Sequence, residues 1–213
     1  MMQNDLFSKS EPKIEALCDG VYLLRQFIEP ELFYNQIMKM AKISPFRRMM
    51  TPGGKIMNIA ITNSGDVGWY SDRKGYRYLP LDPLNAKPWP PLADFMIKAA
   101  KQAAQKAGFK NYNPDTCLIN CYQTGDRLTP HQDKNEQDFS QPIVSMSLGL
   151  SAIFQLYEEV RGGKPKNILL DNGDVLVFGG PARRYFHAVK KLEKDNHTLT
   201  GSKRYNLTFR KAL

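Results

Sequence analysis

The chain has 213 residues, of which 30 are lysine or arginine and 21 are aspartate or glutamate, so its formal net charge is +9 at pH 7. A chain of this length can bury an adequate core as one domain, and its three scattered cysteines argue against a disulfide framework and favour a reducing compartment. No apolar run reaches the roughly 18 residues of a membrane span, and the polar first residues lack a secretory signal, which predicts a cytoplasmic protein with no membrane association.

The N-terminal part is predicted to mix α and β structure. Residues 1–12 are predicted to form a flexible tail, and residues 21–27 have the composition of a strand. Pro30 suits the first turn of a helix, and apolar residues then recur at helical spacing until residues 44–45.

The next segment is predicted to hold a turn, a long loop and a second helix. Residues 52–54, Pro-Gly-Gly, are typical of a hairpin turn between short strands. Residues 63–90 are rich in glycine, proline and aromatic residues and are predicted to form a long loop, which is usually functional at this length. A second helix is predicted from Pro91, with Gly108 as its stop signal.

From residue 116 onward the pattern predicts almost only β structure, because short apolar runs alternate with glycine-containing turns. The predicted strands are 116–123, 142–150, 152–157, 167–170, 174–178, 183–189 and 204–210. Many short strands with such turns favour a double-sheet jelly roll. The expected fold class is therefore mostly β (α+β), with a cupin-like core, a double-stranded β-helix, and an N-terminal α/β extension.

A His-x-Asp pair in this β-rich half is the first candidate metal site. His131 and Asp133 would point the same way in an extended strand, because side chains alternate faces there. A third ligand is needed, and His187 lies in another predicted strand. Two imidazoles and one carboxylate with open coordination positions are typical of non-haem Fe(II) oxygenases.

The last predicted strand is the second signal, because its polar residues alternate with apolar ones. Arg204 and Arg210 lie on the polar face, together with Asn206. Inward-facing guanidinium groups would need an anion, and their planar fork suits a carboxylate. The strand at residues 116–123 likewise places Leu118, Asn120 and Tyr122 on one face. A solvated outer face for the two arginines is the equally acceptable alternative.

These residues together resemble the AlkB family of Fe(II)- and 2-oxoglutarate-dependent nucleic-acid demethylases, most of all its bacterial DNA-repair branch. The resemblance spans nearly the whole chain. The motifs that carry it are His131-x-Asp133, His187, Arg204-Tyr205-Asn206-Leu207-Thr208-Phe209-Arg210, Ser44-Pro45-Phe46-Arg47, Thr51-Pro52-Gly53-Gly54, Lys87-Pro88-Trp89-Pro90, Cys117-Leu118-Ile119-Asn120 and Pro142-Ile143-Val144-Ser145.

The resemblance implies the ligand sets of an oxidative demethylase. Fe(II) would bind to His131, Asp133 and His187, and O2 is the oxidant. The 2-oxoglutarate co-substrate would lie among Leu118, Asn120, Tyr122, Arg204, Asn206 and Arg210. Arg204 would pair with the far carboxylate. The reaction implied is removal of methyl groups from bases such as 1-methyladenine and 3-methylcytosine, with release of formaldehyde, succinate and CO2.

The resemblance also implies a nucleotide-recognition lid at about residues 45–90, in front of a jelly-roll core at about 116–213, within one domain at 13–213. Residues 69–78 interleave aromatic and basic side chains, which suits base stacking and phosphate contact on single-stranded or flipped-base DNA, with RNA as the alternative. The substrate residues implied are Trp69, Tyr76, Tyr78, Asn135, Arg161, Thr51 and Met57. For the methionines of this segment, ordinary core packing is the alternative.

One position departs from the family pattern. Bacterial members usually carry an acid two residues after the metal aspartate, whereas this chain has Asn135. An amide can still accept a hydrogen bond but lacks the negative charge that would favour a cationic lesion. A weaker preference for 1-methyladenine and 3-methylcytosine is therefore expected.

Two other functions remain open from the sequence. The same chemistry on a protein or small molecule would not depend on residues 69–78. A non-catalytic nucleic-acid-binding module would not need the complete metal and anion set. A monomer is expected, because the mechanism needs only one chain.

Overall fold

The structure, a computed structural model, describes residues 12–213. Residues 1–11, nearly all of the predicted flexible tail, lie outside the described residues. The helices are α1 (Pro30–Ile43) and α2 (Asp94–Lys106). The strands in chain order are β1 (Ile14–Cys18), β2 (Val21–Leu24), β3 (Ala60–Gly65), β4 (Gly68–Asp72), β5 (Gly75–Leu79), β6 (Leu81–Asp82), β7 (Lys87–Pro88), β8 (Thr116–Gln123), β9 (Leu128–His131), β10 (Ile143–Gly149), β11 (Ala152–Leu156), β12 (Lys166–Leu170), β13 (Val175–Phe178), β14 (His187–Val189) and β15 (Lys203–Arg210).

Two antiparallel sheets form the centre of the molecule. The larger sheet has seven strands in the order β1-β2-β13-β10-β15-β8-β3, and the smaller has four in the order β12-β11-β14-β9. Strands far apart in sequence lie side by side, as β8, β15 and β10 do, which is the connectivity of a jelly roll. The predicted mostly β fold, with a double-stranded β-helix core and an N-terminal α/β part, is confirmed.

The larger sheet is covered on both faces. The two helices pack on one face, where Phe33 and Ile37 of α1 and Met96 of α2 contribute to a buried apolar cluster with Leu207 and Phe209 of β15. Burial of such side chains is the main stabilising contribution to the fold.

The smaller sheet covers the opposite face. Phe154 and Leu156 of β11 share a second apolar cluster with Ile143 and Phe178 of the larger sheet. The part of the larger sheet that packs against β11 is therefore shielded from water by the second sheet.

Strand β15 shows how this arrangement fixes the polar face. Tyr205, Leu207 and Phe209 belong to the helix-side cluster, so the alternate residues must face the smaller sheet. Arg204 and Arg210 are only 2% and 4% exposed. The inward orientation, rather than the solvated one, is the one observed.

The helices agree with their sequence signals. α1 starts at Pro30 as predicted and ends one residue before Ser44. α2 starts at Asp94 rather than at Pro91, and the preceding Ala93 is extended. Asp94, the acid in the first turn, complements the helix dipole at the observed start.

The prediction of a loop at residues 63–90 is wrong. Within this segment β3 ends, β4 and β5 form a hairpin with Trp69 opposite Tyr78, and β6 pairs with β7. The strands carry aromatic and charged residues on their half-exposed faces and therefore lack the apolar alternation on which strand recognition depends.

Residues 183–189 were predicted as one strand, and this is wrong for their first part. Residues Gly180–Arg184 form a 3-10 turn, and β14 covers only His187–Val189. Pro181 suits the first turn of this 3-10 segment, because its fixed φ is compatible with helical geometry and its missing N–H is not needed there.

The Pro-Gly-Gly turn is confirmed. Gly54 has a φ of +83° and its N–H donates to the carbonyl of Thr51 at 2.9 Å. In the described chain neither helix is long and apolar enough to cross a membrane.

Leu207→Ala should destabilise the fold by about 2–5 kcal/mol, because Leu207 is fully buried between the helices and the larger sheet. The free energy of unfolding can be measured by urea denaturation. Leu169→Ala is the matched control, since Leu169 is 46% exposed on β12 and should change stability by no more than about 0.5 kcal/mol. Equal losses in the two variants would contradict the layered core.

Candidate active site

The three candidate metal ligands meet at the edge of the smaller sheet. His131 is the last residue of β9, and His187, the first residue of β14, is its direct partner in the antiparallel register. Asp133 lies beyond the end of β9, so strand alternation, which was the reason for expecting it beside His131, does not apply to it. The chain that follows the strand nevertheless brings its carboxylate to both imidazoles.

The distances fit one shared ion. Asp133 Oδ1 lies 3.9 Å from His131 Nε2, and its Oδ2 lies 3.7 Å from His187 Nε2. Ligand atoms at about 2.1 Å from an ion lie roughly 3–4 Å from one another, so only small adjustments are needed. In the part of the chain that the structure describes, this is the one group of three such side chains within 4.8 Å.

Both imidazoles are oriented by backbone carbonyls. His131 Nδ1 lies 2.9 Å from the carbonyl oxygen of Thr129, and His187 Nδ1 lies 3.1 Å from that of Tyr185. A carbonyl can only accept, so each Nδ1 carries the proton and donates it. Each Nε2 then keeps its lone pair for a metal ion.

The charge state of the group suits metal binding. Burial acts to raise the pKa of Asp133, but the guanidinium of Arg210, followed by the two imidazoles, outweighs it and holds that pKa well below its usual range. Burial, and then the neighbouring His131, lowers the pKa of His187 to about 4. At neutral pH the site therefore offers a carboxylate and a neutral imidazole.

An inner cavity of about 90 Å³ lies between the two sheets, next to these ligands. All six residues implied as 2-oxoglutarate ligands line it, namely Leu118, Asn120, Tyr122, Arg204, Asn206 and Arg210. The register explains this, because Arg204 lies opposite Tyr122 on the paired strands β15 and β8, and Asn206 opposite Asn120.

Arg204 is a buried cation whose partners in the described chain are neutral. Its guanidinium donates to the carbonyls of Leu150 and Leu170 at 3.0 and 3.4 Å and to Ser147 Oγ at 2.8 Å. Its Nε has no hydrogen-bond partner among residues 12–213. Burial lowers its pKa to about 10, so it stays charged at neutral pH. A buried, unneutralised guanidinium on a cavity wall fits a ligand carboxylate.

Arg210 closes the metal-proximal end of the cavity. Its Nη2 donates to Asp133 Oδ2 at 2.7 Å, while its Nε is buried and unpaired within the described residues. The donor set therefore fits both groups that the sequence implied. One carboxylate and two imidazoles suit Fe(II), and the buried guanidinium of Arg204, whose hydrogen-bond partners are neutral, suits a carboxylate of an organic acid, with the unpaired Nε of Arg210 as a further donor.

An outer cleft shares a wall with the inner cavity. Trp69, Met57, His131 and Asp133 line both spaces. Thr51, Tyr76, Asn135 and Arg161, which the resemblance assigned to substrate, line the cleft alone. Tyr78 is the exception, because its hydroxyl donates to Glu136 Oε1 at 2.5 Å inside the protein.

Trp69 is held at the junction of the two spaces. The side chain of the fully buried Asn63 receives a hydrogen bond from Trp69 N–H and donates one to Trp69 O, both at 3.0 Å. The indole stacks on Tyr76 with ring centroids 5.5 Å apart, and its Nε1 donates to Asn135 Oδ1 at 3.3 Å. The position of the ring is therefore fixed by the backbone hydrogen bonds of Trp69, by stacking on one face and by a hydrogen bond at the indole nitrogen.

Several residues of the site were missed in the sequence. Ser145 and Ser147 contact Asn206 and Arg204, and their alternation on β10 was a usable signal. Asn63 and Arg183 gave no signal, because the first lay in a predicted loop and the second acts through partners far away in sequence.

The comparisons with known proteins agree with this geometry. The chain matches the family model of the 2OG-Fe(II) oxygenase superfamily over residues 20–210. It is 46% identical over 210 residues to the alpha-ketoglutarate-dependent dioxygenase AlkB of Escherichia coli K12, covering 98% of this chain and 97% of that protein. A Caulobacter vibrioides AlkB homolog is 36% identical over 173 residues, covering 81% of this chain and 77% of that protein. A solved structure of OsALKBH1 has a TM-score of 0.78 at 28% identity and covers 92% of this chain and 100% of that chain.

Alanine at His131, Asp133 or His187 should weaken Mn(II) binding by more than the roughly 10- to 100-fold that outer partners of metal ligands cost, because each removes a direct ligand. The electron paramagnetic resonance signal of free Mn(II) measures this affinity. His197→Ala is the control, because His197 lies in a separate bridge with Gly201 and should leave affinity unchanged. Wild-type affinity in the three variants would contradict the assignment.

Proposed function

The chain belongs to the AlkB family of 2-oxoglutarate- and Fe(II)-dependent dioxygenases, and on this premise we propose that it repairs alkylated DNA by oxidative demethylation of bases. The proposed substrates are bases such as 1-methyladenine and 3-methylcytosine, and the products are the normal base, formaldehyde, succinate and CO2. The observation that carries the proposal is the combination of a His-Asp-His group with a buried, unneutralised Arg204 behind it.

In the proposed mechanism His131, Asp133 and His187 hold Fe(II). Together with 2-oxoglutarate and O2, the metal supplies the oxidation of the N-methyl carbon. Arg204 neutralises the far carboxylate of the co-substrate, with help from Asn120 and Tyr122. Arg210 and Asn206 complete the pocket, and Leu118 packs against the ligand. The protein contributes binding, orientation and the exclusion of water.

Base recognition is proposed to occur in the outer cleft. Trp69 and His131 both line the cleft wall next to the metal group and are proposed to stack on the two faces of the base. Tyr76, Arg161, Thr51 and Met57 are proposed to contact the nucleotide. A base must leave the helical stack to reach this depth, so single-stranded or flipped-base DNA is the proposed form of substrate, with RNA as an alternative.

We further propose that residues 13–213 act as a single dioxygenase domain. In it, residues at about 45–90 form a nucleotide-recognition lid over the jelly-roll core. A monomer in the cytoplasm, without membrane association, is proposed to carry out the repair. The excess positive charge supports a nucleic-acid partner, because clustered lysine and arginine release counterions when they bind phosphates.

Trp69→Ala should reduce formaldehyde release from methylated oligonucleotides by about 5- to 140-fold, because stacking on one aromatic ring contributes roughly 1–3 kcal/mol per base. Succinate formed without nucleic acid should stay at the wild-type level, since Trp69 is not proposed to hold metal or 2-oxoglutarate.

Tyr157→Ala is the control, because Tyr157 is not among the residues that line the cleft and its hydroxyl lies 3.5 Å from Gln155. Turnover of a methylated oligonucleotide that is indifferent to Trp69 would favour a protein or small-molecule substrate. No succinate at all from wild-type protein supplied with Fe(II) would leave only a non-catalytic binding module.

Asn135→Asp should raise kcat/KM for 1-methyladenine and 3-methylcytosine by roughly fivefold, because it places a negative charge beside a cationic lesion in a partly exposed cleft. Mass spectrometry of single-stranded and duplex oligonucleotides carrying each lesion gives the rates. Gln137→Glu adds the same charge two residues further along the chain and serves as the control, since Gln137 is exposed and its N–H contacts the C-terminal segment. An equal gain in both variants would mean a general effect of charge rather than lesion recognition.

A further inference from the structure

A buried cluster of charges extends behind the metal ligands. It contains two carboxylates, Asp133 and Glu136, and two guanidinium groups, Arg183 and Arg210. The side chains of these four residues are between 1% and 9% exposed. Because opposite charges are equal in number, the cluster is balanced by itself.

The hydrogen bonds give the cluster a defined geometry. Arg183 donates to Glu136 Oε2 at 3.1 Å and to the backbone carbonyl of Asp133 at 2.9 Å. Arg210 holds Asp133 Oδ2 at 2.7 Å with Nη2, and its Nη1 lies 3.5 Å from Glu136 Oε1. Both arginines therefore act on the segment that carries the metal carboxylate.

One neutral group enters this cluster from a different part of the molecule. Tyr78 is on β5 of the β4–β5 hairpin, and its hydroxyl donates to Glu136 Oε1 at 2.5 Å while accepting from Arg210 Nη1 at 3.1 Å. The hydroxyl is not needed for charge balance. Instead, the hydroxyl bridges Arg210 and Glu136 by hydrogen bonds, and it thereby fixes the orientation of the Arg210 guanidinium group.

We propose that Tyr78 is a positioning residue that ties the β4–β5 hairpin to the metal carboxylate through Arg210. With one nitrogen of the fork held by Tyr78, the other fixes the plane of the Asp133 carboxylate before metal arrives. Pre-organisation of a ligand raises affinity, and linkage requires that metal binding stabilise the hairpin contact by the same factor. The proposal rests on the metal centre of the proposed function.

The hairpin is also the element that carries Trp69 and Tyr76. Trp69 is opposite Tyr78 in the strand register, and its ring stacks on Tyr76. A contact that connects Tyr78 to Asp133 therefore connects the proposed base-stacking ring to the metal site. Occupation of the metal site and ordering of the cleft wall would favour each other.

The test uses Tyr78→Phe, which removes only the hydroxyl. Mn(II) affinity in the presence of 2-oxoglutarate is measured from the free Mn(II) resonance signal, and hydrogen exchange of residues 68–79 is measured with and without both ligands. We expect both ligands to slow exchange of residues 68–79 in the wild type. In Tyr78→Phe we expect this slowing to be lost and Mn(II) binding to be about tenfold weaker, within the usual range for coupled sites. Thermal unfolding without metal is measured alongside, to compare the stability of the two proteins.

Tyr70→Phe is the matched control, because Tyr70 lies on β4 of the same hairpin, where its ring packs under Arg77. It should bind Mn(II) and respond in exchange as the wild type does. Glu136→Gln and the double variant Tyr78→Phe/Glu136→Gln complete a cycle in which the two losses should be less than additive, because the first weakens the acceptor and Tyr78→Phe removes the donor of one hydrogen bond, while Glu136→Gln by itself also removes a charge that pairs with Arg183 and Arg210.

The outcomes separate the two proposals. Wild-type Mn(II) affinity in Tyr78→Phe, an unchanged exchange response, or an equal loss in Tyr70→Phe would each overturn the role of Tyr78. A wild-type protein that does not bind Mn(II) would overturn the metal centre itself, and with it the proposed function.

Discussion

The ion pair between Arg210 and Asp133 joins the two sheets at the place where the chemistry is proposed to occur. Arg210 belongs to β15 in the middle of the larger sheet, whereas Asp133 follows β9 at the edge of the smaller one. A buried carboxylate is costly unless it is paired, so this contact determines where the chain after β9 can go. It places the carboxylate beside two imidazoles whose positions are already set by the β9–β14 register.

The polar lining of the cavity follows from strand alternation, and this part of the site could be predicted from sequence. Residues 204–210 and 116–123 each separate a polar from an apolar face, and both patterns are observed. Periodicity shows that two faces differ but not which of them is covered. Only the packing of the smaller sheet over Arg204 and Arg210 decides that point, and no local pattern encodes it.

The residues that sequence reasoning missed depend on distant partners. Glu136 contacts Tyr78, 58 residues earlier, and Arg183, 47 residues later. Glu136 is buried, whereas its neighbour Asn135 lines the outer cleft. Asn63 was hidden for another reason, because the strands around it carry aromatic and charged residues that resemble a loop. A polar residue can therefore be recognised from sequence as part of a site only when it belongs to a strand-like alternation or to a known motif.

Because of the position of β9, the metal ligands affect the stability of the sheet edge as well as the chemistry. β9 is an edge strand of four residues, and its register with β14 is irregular between the two paired positions. An ion shared by the paired residues His131 and His187 would link the two strands at this edge of the sheet, where their pairing is irregular. The segment that starts there carries Asn135 on the cleft side and Glu136 on the buried side. A chain without the ion would therefore hold this segment, and with it the part of the cleft wall at Asn135, less firmly.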